Sequence, residues 1–400
     1  MTRARLAFAV GVFVATLPLV ARAQAQPPGE GQPFFALRDL NTAQYEPDLS
    51  WQRLAEQEHQ RKTGIDLATG SVSAKNITLS RRIQVNAPLN DRVRFRWHHE
   101  EFGDEEVAIL TEKLELQFRV AGPVALTLFS SGALEKSAIA LGGGVMIAPG
   151  DRTSYVDLAV RHDAPAFNGK SHADAEDRQP PVRLLGETNL QRGPLRFYGF
   201  ADWALESRRV FATSEGSNGI RDHRRYTRRT ALKLEWSPLP HTTVGVRHRF
   251  LGQGDDRRHF AGAGDDADFE RTHHKLDAFG ERRFSSFRVQ GIAGWRSQRD
   301  RTDPSLGTDE RYRRDQILAG TRAHYRLTPE IEVGAGYWGT WLSARRASAT
   351  APRSLDVYAD KVDVVFGYHV NETARAELLF SHEVSAGGFG GAGGKAIFLF

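Results

Sequence analysis

The chain of 400 residues contains no cysteine and only two methionines. The absence of cysteine excludes disulfide bonds, thiolate metal ligands and a lipid-modified N-terminal cysteine. After its first 25 residues, the chain also has no apolar run of about 18 residues, so no transmembrane helix is expected there. What remains is rich in glycine, phenylalanine and charged residues. Such a composition suits short strands joined by tight turns.

The first residues have the three parts of a secretory signal peptide. Arg3 and Arg5 form a positive n-region, residues 6–20 form an apolar core, and residues 21–25 offer two small-x-small cleavage sites. A single membrane anchor is the alternative, but the apolar core is short for a hydrocarbon layer of about 30 Å. We therefore expect residues 1–25 to be removed and the mature protein to be exported.

Apolar and polar residues alternate along much of the mature chain, which indicates half-buried strands. Val93, Phe95 and Trp97, for example, are separated by single basic residues. Clusters of Pro, Gly, Asn and Asp mark the connections between strands. Short connections are predicted at 86–91, 121–123, 149–152, 191–194, 237–241, 282–285, 327–330 and 369–372. A second set, mostly longer, is predicted at 73–75, 99–106, 132–136, 163–180, 206–224, 252–270, 298–310, 345–353 and 385–394.

These alternating connections predict an all-β fold, a closed antiparallel transmembrane β-barrel of about 18 strands over residues 64–400. The first and third long connections are weak, so 16 strands is the alternative. A soluble β-sandwich or solenoid is a further alternative. Because short connections of such barrels face the periplasm and long ones the exterior, both chain ends are expected in the periplasm.

Residues 26–63 precede the barrel and are expected to form a periplasmic linker and a short helix. The helix is predicted over residues 48–61, with Asp48 or Ser50 as its N-cap. It is too small to be a transporter plug domain. It either lies in the lumen, caps the periplasmic mouth, docks a partner, or belongs to a flexible tail.

Basic residues outnumber acidic ones on the polar rows, which must face the lumen because an arginine facing lipid at the bilayer midplane costs about 2–4 kcal/mol. Guanidinium groups bind carboxylate, sulfate and phosphate in bidentate geometry. The sequence therefore predicts a path for an anionic substrate; ion pairs that brace the barrel are the alternative. The predicted path residues are Arg92, Arg94, Arg96, Arg119, Arg161, Arg183, Arg196, Arg247, Arg249, Arg288, Arg322, Arg326 and Arg375.

Arg92, Arg94 and Arg96 are the most distinctive part of this set. Their spacing of two predicts one face of a single strand. Glu115 on the next strand is the acidic residue closest to them in chain order, and it is unable to neutralise all three. We therefore expect a lumenal ladder that contacts the passing anion. An ion-pair brace is the alternative.

The sequence shows no catalytic constellation, and we expect a protein without enzymatic activity, cofactor, metal site or nucleic-acid partner. His98, His223 and His259 lie near predicted loops without a recognisable motif spacing. The Gly-Asp stretches at 252–256 and 262–266 lack the spacing of a calcium loop. Solvated loops explain these residues best.

The mature chain resembles bacterial outer-membrane β-barrel porins. The resemblance rests on the signal sequence, on the hairpin over residues 325–337 and on the final residues 396–400, which end in Phe400. Within that class the terminal phenylalanine is the signal read by the barrel assembly machinery, and the resemblance implies this role for Phe400. The hairpin and the arginine-rich lumen are also similar to alginate-export barrels and to β-barrel porins of exopolysaccharide export systems.

The resemblance implies a channel in the outer membrane of a Gram-negative cell, in contact with lipid and lipopolysaccharide. Its expected function is export of an anionic polysaccharide together with a periplasmic export protein. The alternative is a passive, anion-selective porin for small solutes. The chain differs from TonB-dependent transporters because it lacks a plug domain, and from some exopolysaccharide secretins because it lacks a large periplasmic helical repeat.

Overall fold

A computed structural model describes residues 62–73, 76–103, 108–132, 139–149, 153–163, 182–212, 220–259, 267–303, 310–347, 353–385 and 387–400. These residues form eighteen β-strands. In chain order the strands are β1 Gly64–Ser73, β2 Asn76–Pro88, β3 Val93–Gly103, β4 Ala108–Ala121, β5 Val124–Gly132, β6 Ile139–Ile147, β7 Tyr155–Asp163, β8 Val182–Arg192, β9 Leu195–Ala212, β10 Ile220–Leu239, β11 Thr242–His259, β12 Ala267–Arg283, β13 Phe287–Asp303, β14 Glu310–Arg326, β15 Ile331–Ala347, β16 Arg353–Asn371, β17 Ala374–Glu383 and β18 Gly388–Leu399.

All eighteen strands belong to one closed antiparallel sheet. Each strand pairs with the next in sequence, and β1 closes the ring by pairing with β18 from Gly64 opposite Leu399 to Ser71 opposite Ala392. The predicted closed barrel and its eighteen strands are therefore confirmed. The part of the chain that the structure describes contains no helix long and apolar enough to cross a membrane.

The two faces of the sheet have opposite chemistry. Leu114, Leu116, Leu126 and Leu128 lie on the outer face and are exposed, whereas the residues between them point inward and are mostly buried. Buried polar side chains outnumber buried apolar ones among the described residues. This inverts the pattern of a water-soluble protein, in which the apolar residues lie inside. Lipid on the outside and a polar lumen inside account for it.

Exposed aromatic side chains form two belts on the outer face. One belt, near the short turns, contains Trp236, Phe284, Phe287, Tyr325 and Tyr368; the other, toward the long connections, contains Trp203, Trp295, Tyr337, Trp341 and Tyr358. Phe287 and Trp295 of β13 are separated by about 27 Å along the strand. A tilt of about 40° reduces this separation to roughly 21 Å, close to the apolar band of about 25 Å in outer-membrane barrels. The protein is an outer-membrane β-barrel.

The long connections are shorter than the sequence predicted, because several strands continue past the membrane. Loops were expected over 206–224, 252–270 and 298–310, yet β9 extends to Ala212, β11 to His259 and β13 to Asp303. Both faces of a hairpin contact water above the membrane, so its residues need not alternate. Alternation alone therefore places the end of the strand too early. The predicted linker and helix before residue 62 lie outside the described residues.

Gly320 shows how tightly the inner face is packed. A Cβ atom built on Gly320 would meet the ring of Trp338, which is buried beside Leu318. We expect Gly320→Ala to lower the free energy of unfolding by about 1–3 kcal/mol, because overpacking forces the indole out of place. Urea titration of the folded barrel, followed by tryptophan fluorescence, measures this change.

Gly291→Ala is the matched control on the neighbouring strand. A Cβ atom there meets nothing nearer than the Gly320 carbonyl oxygen at 3.9 Å. Equal effects of the two substitutions would contradict the packing argument.

Candidate functional site

The thirteen arginines of the predicted anion path occupy three kinds of position. Six are buried on the inner face, namely Arg96, Arg183, Arg196, Arg247, Arg288 and Arg322. Four are half-buried on the same face, namely Arg94, Arg161, Arg249 and Arg375. Three are exposed near the short-turn rim, namely Arg92, Arg119 and Arg326.

Each of the six buried arginines forms an ion pair with a carboxylate on another strand. The pairs are Arg96–Glu115 at 2.8 Å, Arg183–Asp202 at 2.7 Å, Arg196–Glu235 at 3.1 Å, Arg247–Asp277 at 2.5 Å, Arg288–Glu332 at 2.5 Å and Arg322–Asp363 at 2.7 Å. Burial weakens solvent screening, and an unpaired charge would be costly there. These pairs brace the wall, as the alternative interpretation of the arginines predicts.

Arg96 belongs to a structural network. Its Nη1 donates to Glu115 Oε1, and its Nε donates to Asn86 Oδ1 at 2.9 Å. Asn86 Nδ2 in turn donates to the carbonyl oxygen of Lys62, which leads into β1. Lys113 Nζ lies 2.6 Å from the same Glu115. The network ties the start of the barrel to β2, β3 and β4.

The expected ladder of three arginines is therefore interrupted. Arg92 lies in the turn before β3 and is exposed, whereas Arg96 is held by Glu115. Arg94 lies on the inner face, within electrostatic range of Arg96 and Arg119. Among the residues described, no carboxylate lies within ion-pair distance of Arg94 or Arg119. We call these two residues the mouth arginines.

Asp363 is the centre of a second buried network. Its carboxylate is fully buried and accepts hydrogen bonds from Arg322 Nη2 at 2.7 Å, Trp338 Nε1 at 2.6 Å and Ser381 Oγ at 2.7 Å. The Arg322 guanidinium also lies 5.5 Å from the centre of the Trp338 ring. These contacts link β14, β15, β16 and β17 from inside the lumen.

Three cations lie side by side on the inner face of β11, β12 and β13. Arg249 is directly opposite Lys275, and Lys275 is directly opposite Arg296. Directly opposite side chains have Cβ atoms about 4.5–5.5 Å apart, and like charges in that position destabilise a sheet. We call these three residues the lumenal row.

The lumenal row stands in a positive environment. Arg296 is within electrostatic range of Arg314 and Arg247 as well as Arg249, and Asp277 is the carboxylate that acts on it. The Asp277 carboxylate already accepts a hydrogen bond from Nε of Arg247 at 3.0 Å, and it lies 3.9 Å from Lys275 Nζ. The row therefore gives this side of the lumen a positive field.

The alternation of the sequence predicts that Arg249 lies on the anion path, but it does not predict the row. The signal that identifies the row is the hairpin register, and predicting that register requires the exact positions of the turns at Pro240–His241 and Phe284–Ser286.

Arg81 and His248 lie on the outer face of their strands, where Arg81 contacts His99 and His248 stacks on His274. In the described part of the chain, no group of three or more His, Asp or Glu side chains is arranged to hold a metal ion.

No family model and no curated protein matches this sequence. Solved structures that resemble it are outer-membrane barrels. The outer membrane protein OmpT of Vibrio cholerae in its trimer form is 9% identical, with 85% of this chain and 98% of that chain covered and a TM-score of 0.37. A bacterial polysaccharide outer membrane secretin is 11% identical, with coverages of 85% and 98% and a TM-score of 0.38. An outer membrane channel from Pseudomonas putida F1 is 7% identical, with coverages of 85% and 95% and a TM-score of 0.34.

The buried pair Arg322–Asp363 gives a test of the brace. We expect Arg322→Met to destabilise the folded barrel by about 3–5 kcal/mol, because it leaves the Asp363 carboxylate buried without its cation. The shift of the urea midpoint in lipid vesicles measures the loss.

Arg313–Asp315, at 2.6 Å but with the arginine side chain 61% exposed, is the matched control pair. Arg313→Met should change stability by less than about 1 kcal/mol, as exposed pairs contribute little. A loss of similar size in both variants would show that burial does not govern these pairs.

Proposed function

We propose that this protein is an outer-membrane channel through which an anionic substrate passes. A barrel of eighteen strands is wide enough to enclose a water-filled path. The lumenal row is the observation that carries the proposal. Three adjacent like charges on the lumenal face attract an anion more strongly than a single cation does.

The positive field of the lumen supports the same conclusion. Cations outnumber carboxylates among the buried charged side chains that the structure describes. A wall of low dielectric with an excess of one sign concentrates counter-ions in the path. Arg249 and the mouth arginines, which are less buried, add further positive charge to the lumenal face.

Ion selectivity in planar lipid bilayers tests the proposal. Three unit charges about 10 Å from a passing ion lower the energy of an anion and raise that of a cation by about 1.2 kcal/mol each in water, and the difference of about 2.4 kcal/mol is roughly 60-fold in the permeability ratio. We expect an anion-selective reversal potential, and we expect Arg249→Gln/Lys275→Gln/Arg296→Gln to reduce the chloride-to-potassium permeability ratio by about that factor.

The matched control is Arg299→Gln/Arg313→Gln/Arg345→Gln, which removes three cations from the outer face of β13, β14 and β15. Its selectivity should equal that of the unmodified barrel. A cation-selective barrel, or a lumenal triple variant with unchanged selectivity, would refute the proposal. Heat-modifiable gel mobility confirms that each variant is folded.

We further propose that the substrate is an anionic polysaccharide that leaves the cell with the help of a periplasmic export protein. The mouth arginines and the lumenal row are two separate cation sites, and a polymer is able to contact both at once. Passive diffusion of small anions is the alternative. Docking of the partner to residues 26–63 remains a prediction, because residues 26–61 lie outside the described residues.

Block of the conductance by added polyanion distinguishes the two substrates. Linking two binding events raises affinity by about 100-fold or more. We therefore expect a polyuronate to block at a uronate concentration about 100-fold below that of the monomer, and Arg94→Gln/Arg119→Gln should remove most of this advantage. Equal block by polymer and monomer favours the small-solute porin, and normal surface polysaccharide in a deletion strain would exclude export.

A further inference from the structure

A second row of cations lies on the outer face, above the aromatic belt nearest the long connections. Arg299 of β13 is directly opposite Arg313 of β14, and Arg313 is directly opposite Arg345 of β15. All three side chains are exposed. Arg313 pairs with Asp315 at 2.6 Å, and no other described carboxylate lies within ion-pair distance of the three. We call these residues the outer row.

A groove of about 420 Å³ lies on the same face of the wall, below the outer row. Its floor and sides are Trp295, Ile317, Trp341 and Tyr358, and its polar edge is formed by Asp315, Ser343 and Asp356. Trp341 and Tyr358 are in ring contact, with centroids 5.0 Å apart. The groove therefore has an apolar body and a polar upper edge.

The spacing of these features matches an amphiphile that stands in the membrane. Trp295 and Trp341 each precede the outer-row arginine of their own strand by four residues, and Ile317 follows Arg313 by four. The outer row therefore lies about 13 Å along the strands from these side chains of the groove. Exposed aromatic rings mark the membrane interface. A ligand with acyl chains in the groove would place its head group among the three guanidinium groups.

The geometry points to a site for the phosphorylated, multiply acylated sugar lipid of the outer leaflet, the lipid A part of lipopolysaccharide. Arg299 and Arg345 are two strand spacings apart, about 9.6 Å. A diphosphorylated disaccharide spans this distance, whereas a phospholipid with one phosphate does not. Guanidinium groups bind phosphate in bidentate geometry, and Asp315, Asp356 and Ser343 accept hydrogen bonds from sugar hydroxyl and amide groups. This inference rests on the proposed orientation of the barrel, in which the long connections face the cell exterior.

Native mass spectrometry of the detergent-solubilised barrel, titrated with lipid A and separately with phosphatidylglycerol, tests the site. We expect the unmodified barrel to prefer lipid A. In Arg299→Gln/Arg313→Gln/Arg345→Gln the affinity for lipid A should fall about tenfold or more, since several charge-assisted hydrogen bonds are lost. Trp341→Ala, which keeps all three charges but removes part of the groove, should also weaken binding.

The lumenal triple variant Arg249→Gln/Lys275→Gln/Arg296→Gln is the matched control, because it removes the same charge from the other face. It should bind lipid A as the unmodified barrel does. Unchanged binding by the outer-row variant, an equal loss in the lumenal variant, or equal affinity for phosphatidylglycerol would each overturn the site. The outer-row variant should retain its ion selectivity, so failure of the lipid site and failure of the channel are separate results.

Discussion

Closure of the sheet is the constraint on which the rest of this structure depends. In lipid no water is present to bond an unpaired backbone N–H or C=O group, so every strand must have two partners. The pairing of β1 with β18 supplies the last of these partnerships. Once the ring is closed, every strand presents one face to lipid and one to the lumen, and the alternation of the sequence follows.

A second requirement is that the charged side chains on the inner face must be compensated. Buried arginines are paired across strands with Glu115, Asp277, Asp363 and other carboxylates. Such pairs fix the wall but attract little from solution, because each is already neutral. The proposed attraction for an anionic substrate depends instead on places where like charges adjoin, such as the lumenal row. The same logic on the outer face distinguishes the outer row from ordinary surface arginines.

Much of the fold was predictable from the sequence, because alternation and turn residues are local signals. The strand count and the turn at Leu327–Glu330 were predicted on that basis and are confirmed, whereas the turn predicted at 369–372 lies at Glu372–Thr373. The extensions of β9, β11 and β13 were not predicted, because alternation is not needed above the membrane.

The site was predictable only in part, because it depends on which residues lie opposite one another. The inward arginines were recognisable from alternation, but their neutralisation by Glu115 or Asp363 required the register of two or more hairpins. Arg249, Lys275 and Arg296 are separated by more than twenty residues at each step. Only an exact register brings them together, since a shift of one residue turns a side chain to the other face.

The absence of cysteine permits one direct test of the whole account. Ala231 lies on the inner face opposite Arg249, and its neighbour Leu232 lies on the outer face. Single cysteines at these two positions are probed in membranes with water-soluble thiosulfonates. Their reaction rates report which side of the sheet each residue faces and the sign of the electrostatic field in the lumen. We expect Ala231→Cys to react faster with an anionic reagent than with a cationic one, and Leu232→Cys to react with neither. Labelling of Leu232→Cys, or faster reaction of Ala231→Cys with the cationic reagent, would contradict a closed barrel with an anion-attracting lumen.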